Sequence, residues 1–357
     1  MTVSDGIADQ RDPSAVSDGM GGAFVVFIDS RNGDYDIFAQ HLDQDGNSLW
    51  TQGGVPVCTA SGHQYSPIPV LDGAGGIIIT WRDDREVFSK AYAQRLDQSG
   101  TALWTEDGLK LCDAAGSQVD VWSVSDMSGG AIVVWEDYRA AQELYAQRVD
   151  GSGSMLWGAG AAPVSTGSDA RNNPCIISDG TGGAVIAWED SRNPDKDIYA
   201  QRLDADGNPQ FLVDGEEICT ASGNQQLPKL ALDPSGYIYI AWQDNRDSNL
   251  DVYAQRINRS GTSQWSTDGI AVCTASGSQY SIDLLPDQIG GVYIIWQDYR
   301  NGTDNDIFAA RIESSGSESW YPGGVKICGA SGYQYEPRLI SDGQYGFIAC
   351  WRDRRTG

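Results

Sequence analysis

Lysine is scarce in this chain. Its 357 residues include only Lys90, Lys110, Lys196, Lys229 and Lys326, against 49 acidic residues and a formal net charge of −25. Such an excess of negative charge excludes nucleic acid as a partner, because phosphate binding needs clustered cations. Histidine is scarcer still, with only His41 and His63, which excludes a histidine acid–base pair or a multi-histidine metal site. His41 stands where other units carry the Arg of an A-Q-R triplet and reads as a strand residue. Long hydrophobic runs are missing. The longest, AFVVFI (23–28) and YIYIAW (237–242), are strand-sized and far short of the roughly 20 residues a spanning helix needs. The opening MTVSDGIADQRDP has neither a basic start nor an apolar core, so this segment shows no signal peptide. No G-x-S-x-G elbow, P-loop or HExxH motif occurs. Glutamate is short too: Asp supplies 39 of the 49 acids, and Asp is a turn residue because its side chain bonds nearby backbone N–H groups.

Aromatics, by contrast, are plentiful. With 12 Trp and 16 Tyr, the chain has ample apolar area for a core. They recur in register. An aromatic with Asp two residues on and Arg four on appears seven times, as Phe27-Asp29-Arg31, Trp81-Asp83-Arg85, Trp135-Asp137-Arg139, Trp188-Asp190-Arg192, Trp242-Asp244-Arg246, Trp296-Asp298-Arg300 and Trp351-Asp353-Arg355. From Phe27 to Trp351 is 324 residues, or six steps of 54. A fixed period of this size marks a repeat architecture.

Each unit reads as four short strands. The first ends at an Asp, as in QYSPIPVLD (64–72) and QQLPKLALD (225–233). A Gly-rich turn leads to a β-branched run ending in Trp, such as GGVYIIW (290–296). A polar loop precedes the third, such as DIYAQRLD (197–204) or DVYAQRIN (251–258), and the fourth closes on VCTASG (57–62) or a variant. Short strands, frequent turns and no helical period predict an all-β chain. Blades packed face to face bury both faces of their middle strands, which explains the unbroken apolar second strands. The reading is a single β-propeller domain over 1–357, with seven blades of about 54 residues, each of four short antiparallel strands, and the last blade incomplete. Six blades is the alternative count. Seven first and seven second strands are present, but only six third and six fourth strands. Val3 to Gln10 aligns with Val57 to Gln64 and supplies only the tail of a fourth strand.

The order P-x-x-x-x-D-G, a run ending W-x-D-x-R, I-Y-A-x-R, then D-x-x-G-x-x-x-W resembles the blades of sialidase-like (BNR, Asp-box) propellers of secreted multidomain bacterial proteins. The likeness covers nearly the whole chain, although Asp43, Gly46 and Trp50 only approximate the Asp-box spacing. It implies a propeller with an axial channel and loops on two faces. A sialidase site would add an arginine triad, a Tyr–Glu nucleophile pair and an Asp acid/base. Here each arginine of the repeat has its own Asp in every blade, the pattern of a structural ion pair, and the Asp that opens the third strand is expected to join it. No Glu lies in a Tyr–Glu setting.

Five cysteines, Cys58, Cys112, Cys219, Cys273 and Cys328, occupy one repeat position. Equivalent positions of different blades lie beyond disulfide reach, so these read as small buried hydrophobes. Hard oxygen ligands gather in the loops DSRNGDYD (29–36) and DSRNPDKD (190–197). These carboxylates read first as turn residues, so no cofactor is expected; the alternative is calcium, with Asp29, Asp34 and Asp36 or Asp190, Asp195 and Asp197 as ligands. Where the repeat breaks, Trp122 stands in place of the Ile, Lys or Arg of other first strands and offers a face to a sugar or aromatic ligand. His63 and Arg171 join it as candidate ligand-binding residues, Arg171 within SDARNN (168–173), which replaces SGxQ.

The expected function is therefore a non-catalytic binding or scaffolding module of an extracellular or cell-surface bacterial protein, not an enzyme, with a glycan or protein ligand. The alternative is a sialidase-like glycoside hydrolase. The second strand of the incomplete blade is expected to present an open edge for pairing with another strand.

Overall fold

The structure, a computed structural model, describes residue 3 and residues 8–355. The alignment of Val3 to Gln10 therefore falls mostly outside the described residues. The chain is an all-β propeller, with no helix among the described residues. Twenty-six strands form six four-stranded sheets and one two-stranded sheet. Blade 1 holds Gln10–Ser17, Ala23–Asp29, Asp36–Leu42 and Val55–Cys58, in that spatial order, all antiparallel. The first strands of the following blades are Gln64–Leu71, Gln118–Ser125, Arg171–Ser178, Gln225–Leu232, Gln279–Pro286 and Gln334–Ser341. Blade 7 consists of Gln334–Ser341 and Phe347–Asp353 alone.

The chain falls into two compact units. Unit 1 comprises 1–168, 178–185 and 203–209; unit 2 comprises 169–177, 186–202 and 210–357. Blades 1 to 3 belong to unit 1, blades 5 to 7 to unit 2, and the strands of blade 4 contribute to both. The first strands of blades 1 to 3 pack in series within unit 1, and those of blades 5 to 7 do the same within unit 2.

The second strands explain the stability of each blade. In blade 6, Val292–Asp298 is buried at every residue, with Trp296 fully enclosed. A buried Trp removes roughly 200 Å² from water, worth about 5 kcal/mol at about 25 cal/mol/Å². The Trp ring leans on a left-handed glycine of its own blade. A Cβ at Gly269 (φ +81) would lie 2.5 Å from Cη2 of Trp242. Only glycine fits both the ring and that backbone.

The third residue of every first strand is left-handed and never glycine: Asp12, Ser66, Asp120, Asn173, Leu227, Ser281 and Glu336, with φ between 48° and 53°, and in blades 1, 2, 3, 5, 6 and 7 the strand pairing shifts register there as a β-bulge. Such backbone costs about 1 kcal/mol or more per residue and persists only where neighbours hold it. The holder is visible in unit 2. Glu189 Oε1 accepts the Leu227 N–H at 2.9 Å, and Gln297 Oε1 accepts the Glu336 N–H at 2.8 Å. Both acceptors are the x of W-x-D, one blade earlier.

Candidate functional site

The repeated Asp–Arg pairs are structural. Each motif Asp takes its own Arg within the blade, as in Asp29–Arg31, Asp83–Arg85, Asp190–Arg192, Asp244–Arg246 and Asp298–Arg300, all at 2.6 Å, Asp137–Arg139 at 2.8 Å, and Asp353–Arg355. The carboxylate also accepts the Trp indole N–H, at 2.7 to 2.8 Å in blades 2 to 6. The guanidinium lies 3.5 to 4.1 Å from the ring centre of the third-strand aromatic. Burial pushes the Asp137 and Asp190 carboxyls up, but the Arg and Trp hydrogen bonds win and hold both below the ordinary range. The expected partner differs from the observed one. The Asp opening the third strand does not join the pair: Asp36 and Asp197 accept Asn32 and Asn193 side chains at 2.6 Å, and Asp251 accepts Asn249 at 2.8 Å.

All seven cysteines are free thiols. Five of them accept an arginine N–H from the following blade: Arg85, Arg139, Arg246 and Arg300 approach Cys58, Cys112, Cys219 and Cys273 at 3.0 to 3.4 Å, and Arg355 approaches Cys328 at 3.9 Å. Burial pushes the Cys58 and Cys219 thiols up to about 12 and Cys273 to about 11, so they stay protonated and unreactive.

A second set of pairs has no counterpart among the sequence-based expectations. The Asp that ends a first strand receives the Arg of A-Q-R, or of A-A-R in blade 6: Asp72 with Arg95 and Asp126 with Arg148 at 2.9 Å, and Asp287 with Arg311 at 2.5 Å. Arg95 then donates to the Gly151 carbonyl of the next blade at 2.7 Å, and Arg148 to Ala205 at 3.0 Å. His41 keeps the role with Asp18 at 3.0 Å, stacked on Phe24.

The ligand-binding candidates are scattered. Trp122 is 40% exposed and donates its indole N–H to Asp120 at 3.1 Å. His63 Nδ1 accepts the Tyr35 N–H at 3.1 Å, the bond that Asn224 Oδ1 makes with the Lys196 N–H at 3.0 Å. It is thus the histidine form of a repeat contact. Arg171 occupies the position of the Gln that opens other first strands, is buried, and lies 3.5 Å from Asp190 alongside Arg192. Among the candidate calcium carboxylates, Asp34 and Asp195 accept the N–H of Gly62 and Gly223 at 3.0 and 2.9 Å. Among the described residues no group of three or more His, Cys, Asp or Glu side chains is arranged to hold a metal.

The repeat is broken most at the fifth residue of the first strand. It is Ser14, Ile68 and Trp122 in unit 1, and Cys175, Lys229, Asp283 and Arg338 in unit 2. The last three lie on first strands of consecutive blades that pack together. Burial pushes the Asp283 carboxyl up, although the Leu339 N–H, 2.8 Å from Oδ2, and the charges of Arg338 and Lys229 all pull it down. A carboxyl of raised pKa flanked by two cations is what proton transfer beside an anionic group requires. Aligning the first strands in columns would have found this position, since no other column there collects two cations and an acid.

In unit 1 a cavity of about 860 Å³ opens at the other end of the first strands, lined by Val16, Pro69, Leu71, Arg95, Ser123 and Met127 among others. Its surface is mostly apolar.

No family model matches this sequence, and no curated protein matches it. Solved structures do match. An ulvan lyase described as a new family of polysaccharide lyase, bound to -[GlcA(1-4)Rha3S]-, is 11% identical with a TM-score of 0.59 and covers 95% of this chain and 89% of its own. A Penicillium chrysogenum alpha-L-arabinanase complexed with arabinobiose is 12% identical with a TM-score of 0.46, covering 80% of this chain and 92% of its own. A Hadza microbial sialidase is 13% identical with a TM-score of 0.42, covering 85% and 68%. The ulvan lyase match is in keeping with the β-propeller fold. The expectation of a non-catalytic module, and with it the expectation that the chain is not an enzyme, is corrected by the ulvan lyase match, a polysaccharide lyase on the same fold, which is closer to the enzymatic alternative. The physical reason for the miss is that the residues that recur in every blade hold the scaffold together, whereas Asp283, the one acid at the fifth position of a first strand, lies outside the repeat pattern. No helix among the described residues is long and apolar enough to cross a membrane.

Proposed function

We propose that the chain is a polysaccharide-cleaving enzyme acting outside the cell, with Asp283 as its proton-transferring carboxyl. The observation that carries this reading is the place of Asp283, an acid where no other blade has one, on a first strand packed between those that carry Lys229 and Arg338, with burial raising its carboxyl. Burial raises the proton affinity of this carboxyl, the direction that suits a group giving its proton to a leaving glycosidic oxygen. Lys229 and Arg338 would hold a carboxylate or sulfate of the sugar next to the bond that breaks, or neutralise charge that develops there. The ulvan lyase fold supports the choice of a polymer as substrate.

The test is a panel of neutral, uronate-containing and sulfated polysaccharides incubated with the intact chain, reading new reducing ends and the ultraviolet absorbance of unsaturated products. Reducing ends without that absorbance indicate hydrolysis; both together indicate elimination. Asp283→Asn should lower the rate at least about a hundredfold. A chain that releases no reducing ends from any member of the panel overturns the reading.

A further inference from the structure

We propose that the apolar cavity of unit 1 is a binding site for a small neutral phenol, seated where other blades carry a tyrosine of their own. In blade 5 the second residue of the second strand is Tyr239, paired with Ala231 and Arg256 across the sheet. Its hydroxyl crosses to blade 6 and donates to the Gly290 carbonyl at 2.7 Å, with the Arg256 guanidinium 5.6 Å from its ring centre. Blade 6 repeats the arrangement, Tyr293 donating to the Tyr345 carbonyl at 2.8 Å. Each tyrosine thus spans from one blade to the turn of the next.

Blade 2 has no such phenol. In the same register Ile78 stands opposite Val70 and Arg95, and the turn residue of blade 3 that matches Gly290 is Gly129. An isoleucine side chain stops well short of where a tyrosine hydroxyl ends. Here the cavity of about 860 Å³ opens, with Arg95, Gly129 and Gly151 in its wall. The Gly129 carbonyl lies beside Gly151, where a Cβ would come within 2.9 Å of it. The acceptor and the guanidinium that serve Tyr239 are therefore both present without the ring.

The wall selects a neutral ligand. Its one cation, Arg95, gives Nε to Asp72 at 2.9 Å and Nη1 to the Gly151 carbonyl at 2.7 Å, so its donors are spent within the protein. The flat face of the guanidinium still suits an aromatic ring. A phenol is uncharged below about pH 10. Val16, Leu71, Val124 and Met127 line the rest of the cavity and suit apolar substituents on the ring. The volume lies within the roughly 300–1,000 Å³ of small-molecule sites.

The experiment titrates the intact protein with 4-methylphenol, the tyrosine side chain itself, and with toluene, which lacks the hydroxyl. Saturation-transfer NMR reads binding. The expected result is saturable binding of 4-methylphenol, with toluene about tenfold weaker for the lost hydrogen bond. Ile78→Tyr supplies the phenol from within and should weaken 4-methylphenol binding at least about tenfold. Where that variant does not fold, Val124→Trp, which narrows the cavity from a partly exposed position, should weaken it likewise. Absence of saturable binding at millimolar 4-methylphenol, equal affinity for toluene, or a folded variant that binds as the parent chain does would each overturn the proposal.

Discussion

Arg246 reaches back one blade to Cys219, its Nη2 donating to the thiol sulfur at 3.2 Å while the same guanidinium holds Asp244 at 2.6 Å. One side chain thus closes its own blade and ties it to the preceding one. Removing it leaves a fully buried carboxylate with no cation beside it, a loss of about 3–5 kcal/mol for such pairs. Arg246→Ala should therefore unfold at markedly lower temperature. Arg192→Ala should lose less, because Arg171 remains 3.5 Å from Asp190. Thermal unfolding of the two variants checks this, and an equal or reversed order would contradict it.

Gly269 is the second sensitive point. Gly269→Ala places a methyl against the Trp242 ring and forces a left-handed alanine, so both backbone and packing suffer. A loss of at least about 2 kcal/mol in denaturant unfolding is expected. Gly33→Ala, with φ +105 but nothing within 4 Å of the added carbon, should lose less.

The bulge residues separate shape from chemistry. Leu227 is left-handed with φ 52°, so a β-branched Leu227→Ile should lower the melting temperature while Leu227→Gly should hold or raise it. The Glu189 side chain that accepts its N–H is equally open to test. Glu189→Gln keeps that acceptor and should be tolerated better than Glu189→Ala.

Asp251 sets a pH dependence. Burial, then the neighbouring charge of Asp247, pushes its carboxyl up to about 6. The fold therefore favours the protonated form. The stability this contributes is present below the unfolded value of about 3.9 and is lost as pH rises through about 6. Asp251→Asn keeps the neutral shape at every pH, so its stability relative to the parent chain should improve between pH 4 and pH 7. A difference that is flat or of opposite slope in paired melting curves would contradict the assignment.

The blade count and strand order were legible because the motif that marks them is written seven times over. Trp135-Asp137-Arg139 reads as an internal unit once its spacing is seen to recur. Contacts between blades were not legible, since a period says nothing about which residue faces the next copy. Arg95 looked like one more strand residue, yet it bridges to Gly151. His63 and Arg171 drew notice as departures, but His63 makes the contact of an Asn and Arg171 is enclosed with Asp190. Asp283 is hard to single out because Asp is everywhere in this chain, and only its place at the fifth position of a first strand, where no other blade has an acid, sets it apart.

The most direct measurement is kcat on the best polysaccharide of the panel for the parent chain and for Asp283→Asn, with melting temperatures of both. The account predicts a fall of at least about a hundredfold with an unchanged melting temperature. A variant that cleaves as fast as the parent chain would show that the proton-transferring group lies elsewhere.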